Sequence, residues 1–480
     1  MHPPWWWSPA QSAALARRRG ELLAALGRQA ALIVAGRPRP KNYAANTFPF
    51  RPNSHFLYLF GWGPPGAAAV LEDGRAMVFA PPAAEDDALW SGPVASLGEW
   101  AELLGVPVVP LHGNGDLAGA GDGDGLALHL GEAARRGGPV ATLPAPDHAT
   151  AEWQSALLGR PVRPGSLAPT DGALADAMIR LRLVHDAAAV AELSVAAAAT
   201  ARAHAAGLLA TRPGLRESAV RGAMEGALIA EGCGTAYGSI VTVHGEVLHN
   251  EAHHNLLRPG ELVLADVGAE TASGWAGDVT RTWPVSGHFS TTQAELYDVV
   301  LAAQEHVIAA VKPGVRYRDL HLLATATLAK GLAELGIVRG DPAERAADGT
   351  VALLFPHGVG HLLGLDVHDM EDLGDRAGYA PGRARGTEPG LRYLRLDRDL
   401  EPGMAVTVEP GLYFVPAILD TSEVRTRFAD RLDWTTLERF RGARGIRIED
   451  DVLVTPDGHH VLTAAIPKHR NLLETSLEVD

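Results

Sequence analysis

Along the chain, apolar positions come in short blocks through the first third and in long helical stretches beyond it. Residues 30–35, 67–71 and 75–80 read as buried strands, the last two joined by an Asp73-Gly74 turn. From 173 to 210 a stretch rich in Ala and Leu predicts one long helix. Between these regimes lie residues 159–171, which hold Pro161, Pro164 and Pro169 together with Gly159 and Gly165. That shift predicts a domain boundary, with one domain over 1–170 and another over 171–480.

The second part of the chain repeats itself. Thr211-Arg-Pro-Gly-Leu-Arg216 returns as Val311-Lys-Pro-Gly-Val-Arg316, each between two helical patterns. Pro259-Gly-Glu-Leu-Val-Leu-Ala-Asp-Val-Gly268 returns as Pro402-Gly-Met-Ala-Val-Thr-Val-Glu-Pro-Gly411. Two such strings in the same order predict a duplicated helix–helix–strand unit about a pseudo-two-fold axis, which would bring Asp266 and Glu409 together from opposite halves.

Composition narrows the function. With 46% hydrophobic and 21% charged residues the chain can bury a large core. A formal net charge of −15 opposes general nucleic-acid binding. The single cysteine, Cys233, cannot form an internal disulfide. The best early apolar stretch, 22–36, is interrupted by Arg28, and no run reaches the roughly 18 apolar residues of a spanning helix. The expectation is a soluble, cytoplasmic protein with no membrane partner and no signal peptide. The Gly- and Asp-rich residues 113–125 lack the spacing and closing Glu of a calcium loop and read as a surface loop. Trp5, Trp6 and Trp7 suggest a contact patch of unassigned role.

Four carboxylates sit on strands that otherwise read as buried: Asp266, Asp278, Glu409 and Glu449. Burying ionised carboxylates costs several kcal/mol each unless they are paired or hold a metal. The bland alternative pairs Asp278 with Arg281 and Glu449 with Arg447. His357, His361 and His368 cluster within Phe355-Pro-His-Gly-Val-Gly-His-Leu-Leu-Gly-Leu-Asp-Val-His-Asp369, whose glycines favour a loop. A second cluster is Leu248-His-Asn-Glu-Ala-His-His254. Four oxygen donors with an imidazole suit Mn²⁺, Co²⁺, Fe²⁺ or Zn²⁺, and that many carboxylates suit two ions. Metal-assisted hydrolysis is the chemistry implied.

These strings, with Val408-Glu-Pro-Gly-Leu-Tyr413 and Arg447-Ile-Glu-Asp-Asp451, resemble the proline-peptidase branch of the metallopeptidases of pita-bread fold, which contains aminopeptidase P and prolidase. The likeness runs from about residue 172 onward. It extends more weakly to Arg51-Pro-Asn-Ser-His-Phe-Leu-Tyr-Leu-Phe-Gly61 and Trp90-Ser-Gly92 in the first third. It implies an α+β protein, with an N-terminal mixed α/β domain ahead of a pita-bread catalytic domain. It further implies two divalent ions, manganese first and zinc, cobalt or iron as alternatives, on Asp266, Asp278, His361, Glu409 and Glu449. Asp278 would bridge the pair with Glu449. Glu409 would also act as general base, His249 and His368 would bind substrate and assist catalysis, His357 would line the pocket, and Arg447 would orient its neighbours. A homodimer acting on small proline-containing peptides is the expected assembly.

Two departures stand out. Eleven residues separate Asp266 from Asp278, one more than is usual in the family. In the turn around Ala272-Ser-Gly274 the extra residue is harmless, whereas within a strand it would turn one aspartate to the wrong face. The segments Glu388-Pro-Gly-Leu-Arg-Tyr-Leu-Arg395 and 414–442 are similar to prolidase, where the arginine matching Arg395 holds the substrate carboxylate. Its alternative is a surface ion pair with Asp397 or Asp399. The expectation is a peptidase cutting Xaa–Pro bonds, leaning toward dipeptides. A carboxypeptidase using Arg395, or a metal-free binding protein of the same fold, are the alternatives.

Overall fold

A computed structural model describes residues 7–83, 87–92, 94–111 and 124–477. Trp5, Trp6 and most of the expected 113–125 loop lie outside the described residues. The chain forms two compact units, Met1–Ala188 with Met370–Ala377, and Ala189–Asp369 with Gly378–Asp480.

The first unit is built on a five-stranded sheet in the order Val108–Pro110, Arg75–Ala80, Ala68–Glu72, Ala31–Val34, Ala141–Thr142. Its inner pairs are antiparallel and its two outer pairs parallel. The three predicted strands are its centre. Asp73 and Gly74 take φ of 47° and 72°, the positive values that a two-residue hairpin matched to strand twist requires. Helix Pro9–Leu26 starts at a reciprocal Ser8–Gln11 cap.

The predicted helix over 173–210 is two helices, Gly172–Leu183 and Ala187–Ala210. The break falls at Asp186, whose carboxylate takes Arg18 at 2.9 and 3.0 Å and Arg17 at 2.7 Å. Gly172–Leu183 packs against Pro9–Leu26, so the unit boundary falls after Ala188 and not at 170. Met370–Ala377 returns to the first unit through Arg376–Asp176 and His55–Asp372 ion pairs of 2.7 and 2.9 Å.

Helix Ala187–Ala210 also corrects the reading of apolar length, because it is long and apolar enough to cross a membrane by those measures alone. Half of its most apolar window is buried in the fold. His204 contacts the Val267 carbonyl at 3.1 Å, and Thr200 accepts the Ala269 N–H at 3.0 Å. It is a core helix of the second unit, made apolar by what it packs against.

In the second unit the sequence repeat reappears in hydrogen bonds. Helices Ala187–Ala210 and Glu217–Ala230 form one pair, Thr291–Ala310 and Tyr317–Glu334 the other. Between each pair a Pro-Gly turn places glycine in the left-handed region, Gly214 at 86° and Gly314 at 82°. Gly214 donates to the Leu257 carbonyl and Gly314 to that of Leu400, both at 2.8 Å. Soon afterwards the second Pro-Gly opens the strands Leu262–Asp266 and Ala405–Val408. One sheet runs Ile240–Thr242, Leu262–Asp266, Thr280–Pro284; the other runs Ala405–Val408, Asp450–Thr455, Gly458–Val461.

The halves diverge where the second helix of each pair begins. Tyr317 donates its hydroxyl to the Thr407 carbonyl at 2.6 Å. At the matching place stands Glu217, fully buried, whose carboxylate accepts from the N–H of Val243 and Asn255 and from the side chains of Thr242 and Asn255. It thereby ties down both ends of the loop that carries His249. Hydrogen bonds to a buried charge contribute about 1.5–3 kcal/mol each, and unsatisfied donors add a penalty. Glu217→Gln is expected to lower stability by about 3 kcal/mol, read as a shifted urea midpoint at unchanged m. An unshifted midpoint would remove the carboxylate from this role.

Candidate active site

The hairpin that bears Asp266 and Asp278 decides whether a site exists. Thr280 pairs with Asp266, and the same register continues through the Val267–Val279, Ala269–Gly277 and Thr271–Trp275 hydrogen bonds. No strand residue is skipped, so the additional residue lies in the tip around Ala272-Ser-Gly274, where Gly274 has φ 92°. Asp278 therefore lies two residues from Thr280 on the face it shares with Asp266.

The other ligand candidates arrive from the second sheet and its loops. Glu409 follows strand Ala405–Val408, and Glu449 sits between strands Gly445–Arg447 and Asp450–Thr455. His361 lies in the expected glycine-rich loop. Gly360 runs so close to the Thr407 carbonyl and the Tyr317 hydroxyl that a Cβ there would collide with both. His361 Nδ1 lies 3.0 Å from its neighbour's carbonyl at Leu362, which fixes the proton there and turns Nε2 toward the acids. That Nε2 lies 3.4 Å from Asp278 Oδ2 and 3.6 Å from Glu409 Oε1. Two ligands of one ion at bond lengths of about 2.1 Å in tetrahedral array stand about 3.4 Å apart, so these separations fit a shared ion better than hydrogen bonds. Asp278, His361 and Glu449 also offer ligand atoms that all lie within 4.8 Å of one another.

The salt-bridge alternative fails on geometry. Arg281 turns to Asp450 at 2.7 Å, not to Asp278. Arg447 donates to Asp266 Oδ2 at 2.6 Å, to Thr280 Oγ1 at 2.8 Å and to the Tyr413 hydroxyl at 3.1 Å. Thr280 in turn donates to Glu449 Oε2 at 2.7 Å. Among the described residues Arg447 is the one arginine or lysine within ion-pair distance of any of the four acids.

The electrostatics follow. Burial pushes Glu409 up to about 7, although His361 and Arg447 pull it down. Burial, with the charges of Asp278, Glu409 and Asp266, holds Glu449 well above the usual carboxylate range. Burial also raises Asp266, against the pull of Arg447. Burial opposes a charged His361, yet the adjacent carboxylates of Asp278 and Glu409 lift it to about 9. Positive charge at the centre is what this cluster favours. The flanking imidazoles behave oppositely: burial, with His361, Arg395 and His249 nearby, lowers His368 to about 2, and burial beside Arg447 lowers His357 to about 3.

All ten residues expected at the site line one cavity of about 400 Å³: Asp266, Asp278, Glu409, Glu449, His249, His357, His361, His368, Arg395 and Arg447. His368 packs edge-on to His361, with ring centres 4.3 Å apart. His357 lies 2.8 Å from the Tyr413 hydroxyl and 2.7 Å from the Gly358 carbonyl, so both its nitrogens are engaged. The ion pairs weighed against Arg395 belong to other arginines: Arg316 takes Asp397 and Arg383 takes Asp399. The segment 414–442 forms helices Pro416–Leu419, Ser422–Arg427 and Trp434–Phe440 and supplies none of the lining residues.

Sequence reading missed several residues. Arg385 and Tyr393 complete the wall beside Arg395. The Tyr237 hydroxyl lies 2.5 Å from Asp266 Oδ1 and 2.6 Å from Asp278 Oδ1. Tyr393 and Tyr413 stand inside strings already singled out, and Thr280 follows Asp278 by two residues, so these were readable as neighbours of the site. Tyr237 stands in no such string.

The family model for metallopeptidase family M24 matches residues 191–456, and that for the aminopeptidase P N-terminal domain matches residues 15–112. Xaa-Pro aminopeptidase 2 of Streptomyces coelicolor is 34% identical over 97% of this chain and 91% of its own length. Human Xaa-Pro dipeptidase is 39% identical, over 48% of this chain and 45% of its own. Proline aminopeptidase P II from Yersinia pestis superposes with a TM-score of 0.77 at 30% identity, covering 97% of this chain and 99% of that one. Zinc-substituted Escherichia coli aminopeptidase P in complex with product gives 0.78 at 28%, covering 97% and 98%. Matched by the first model over more than half of its length, by the second near its N-terminus and by a full-length relative at 34% identity, the chain belongs to metallopeptidase family M24, in the Xaa-Pro aminopeptidase branch.

Proposed function

We propose that this chain hydrolyses the bond before proline at the N-terminal end of peptides, with two divalent ions held by Asp266, Asp278, His361, Glu409 and Glu449. The observation that carries this reading is the convergence of four carboxylates on one cavity, where Arg447 is, among the described residues, the one arginine or lysine within ion-pair distance of any of them. The placement of His361 Nε2 between Asp278 and Glu409, at 3.4 and 3.6 Å, supports it. Manganese is the first choice of ion, with zinc, cobalt or iron as alternatives of suitable ligand preference. Two such ions supply an acidified water and a polarised carbonyl oxygen.

The chain's own groups do the rest. Glu409 takes the proton of the attacking water and delivers it to the proline nitrogen as the C–N bond breaks, so a secondary amine leaves. His368, held neutral, donates to the developing oxyanion or to the leaving nitrogen. His249 is exposed on the cavity wall, where it meets the substrate backbone. The Xaa–Pro nitrogen has no hydrogen to offer, so the pocket needs no acceptor for it.

Arg395 on the cavity wall supports a preference for short substrates whose free carboxylate follows proline closely. The full-length likeness to Xaa-Pro aminopeptidases favours the second reading, in which longer peptides are also accepted.

Glu409→Gln is expected to keep the fold by circular dichroism and to lose at least about 10²-fold in kcat; near-normal turnover would reject its role. A panel of Ala-Pro, longer Ala-Pro peptides, their amides and a proline-free dipeptide, assayed with Mn²⁺ and after chelation, checks the reaction. Cleavage before proline should vanish on chelation and return with Mn²⁺, and chelator-resistant cleavage would contradict the metal centre. Arg395→Ala is expected to weaken kcat/KM about 10–100-fold for free short acids but much less for amides, as lost charge-assisted hydrogen bonds imply. Equal losses on both would leave Arg395 a structural residue.

A further inference from the structure

We propose that Tyr237 is a positioning residue of the metal centre, its hydroxyl pinning the carboxylates of Asp266 and Asp278 to each other. This rests on the metal-centre reading above. The phenol oxygen lies 2.5 Å from Asp266 Oδ1 and 2.6 Å from Asp278 Oδ1, the range of strong O–H···O⁻ contacts. Two like charges on adjacent strands repel, and a donor shared between their facing oxygens opposes that separation. The contact engages only one oxygen of each acid. Asp278 Oδ2 stays directed at His361, and Asp266 Oδ2 receives Arg447.

The backbone is shaped to hold the phenol there. Gly234–Thr235 pairs with Ala269–Glu270, and the Ala236 N–H donates to the Gly268 carbonyl at 2.9 Å. These bonds stitch the tyrosine's segment to the arm that follows Asp266. Gly268 leaves the space: a Cβ there would lie 1.8 Å from the Gly277 carbonyl oxygen and 3.0 Å from the tyrosine ring. The phenol thus occupies a slot that a glycine keeps open, anchored on one side of the hairpin and reaching both acids.

Residues that orient metal ligands commonly contribute about 10–100-fold in metal affinity. The test is calorimetric titration of Mn²⁺ alone into metal-stripped wild type, Tyr237→Phe and Tyr58→Phe. The last loses a phenol that donates to the Leu181 carbonyl at 2.7 Å in the first unit. Tyr237→Phe should keep its circular dichroism spectrum, bind Mn²⁺ about 10–100-fold more weakly, and recover much of its kcat once Mn²⁺ saturates. Tyr58→Phe should match wild type. Unchanged affinity in Tyr237→Phe, equal losses in both variants, or loss of fold in Tyr237→Phe would each overturn the positioning role while leaving the metal centre standing. Wild type that binds no Mn²⁺ would take down both.

Discussion

Four carboxylates share a pocket largely withdrawn from water, and among the described residues only the Arg447 guanidinium stands within ion-pair distance of any of them. In isolation this is a destabilising arrangement: each charge loses hydration and feels its neighbours at short range. The surrounding structure makes it tolerable by distributing hydrogen bonds in a fixed pattern. Arg447 reaches Asp266 directly and Glu449 through Thr280, and its remaining donor steadies Tyr413 and, beyond it, His357. The residual excess of negative charge favours a cation in the cavity. Stability sacrificed at this one place is the source of the chemistry, and the apolar strands around it keep the acids from swinging out into solvent.

Duplication supplies the cluster from both halves of the second unit. Each half builds a helix pair closed by a glycine turn, then a Pro-Gly that opens a strand ending in an acid. The hydrogen bonds of Gly214 and Gly314 are the same bond made twice. What differs between halves is what the site requires: a buried glutamate anchors the His249 loop in one, and a tyrosine braces the Glu409 strand in the other.

Much of this was legible in the sequence because it is encoded locally. Strands with an acid at the end of an apolar run, a glycine-flanked histidine cluster and a repeated Pro-Gly string all survive in the fold, and all ten expected side chains line one cavity. What escaped depended on tertiary partners. The helix break at 184–186 answers to Arg17 and Arg18, more than 150 residues away in sequence. The apolar length of Ala187–Ala210 was masked by Glu192 and Arg202, although Arg202 is exposed and half-buried Glu192 accepts from Thr271 and Ser273. Tyr237 and Arg385 carry no pattern of their own, since their meaning comes only from what stands opposite them.

The Asp266–Asp278 hairpin has a consequence for how such a centre is inherited. Both acids sit on the arms of one continuous ladder, and the loop joining them is free to change length. An insertion at the tip alters the spacing counted along the gene yet leaves the pairing of the arms untouched, whereas one in an arm inverts a face and ends the lineage's activity at a stroke. Drift in this interval is therefore channelled: lineages can differ in the number of residues between the two acids while their separation in space stays constant. Sequence distance and spatial distance are uncoupled there by design of the ladder, and a motif defined by strict spacing would discard functional descendants.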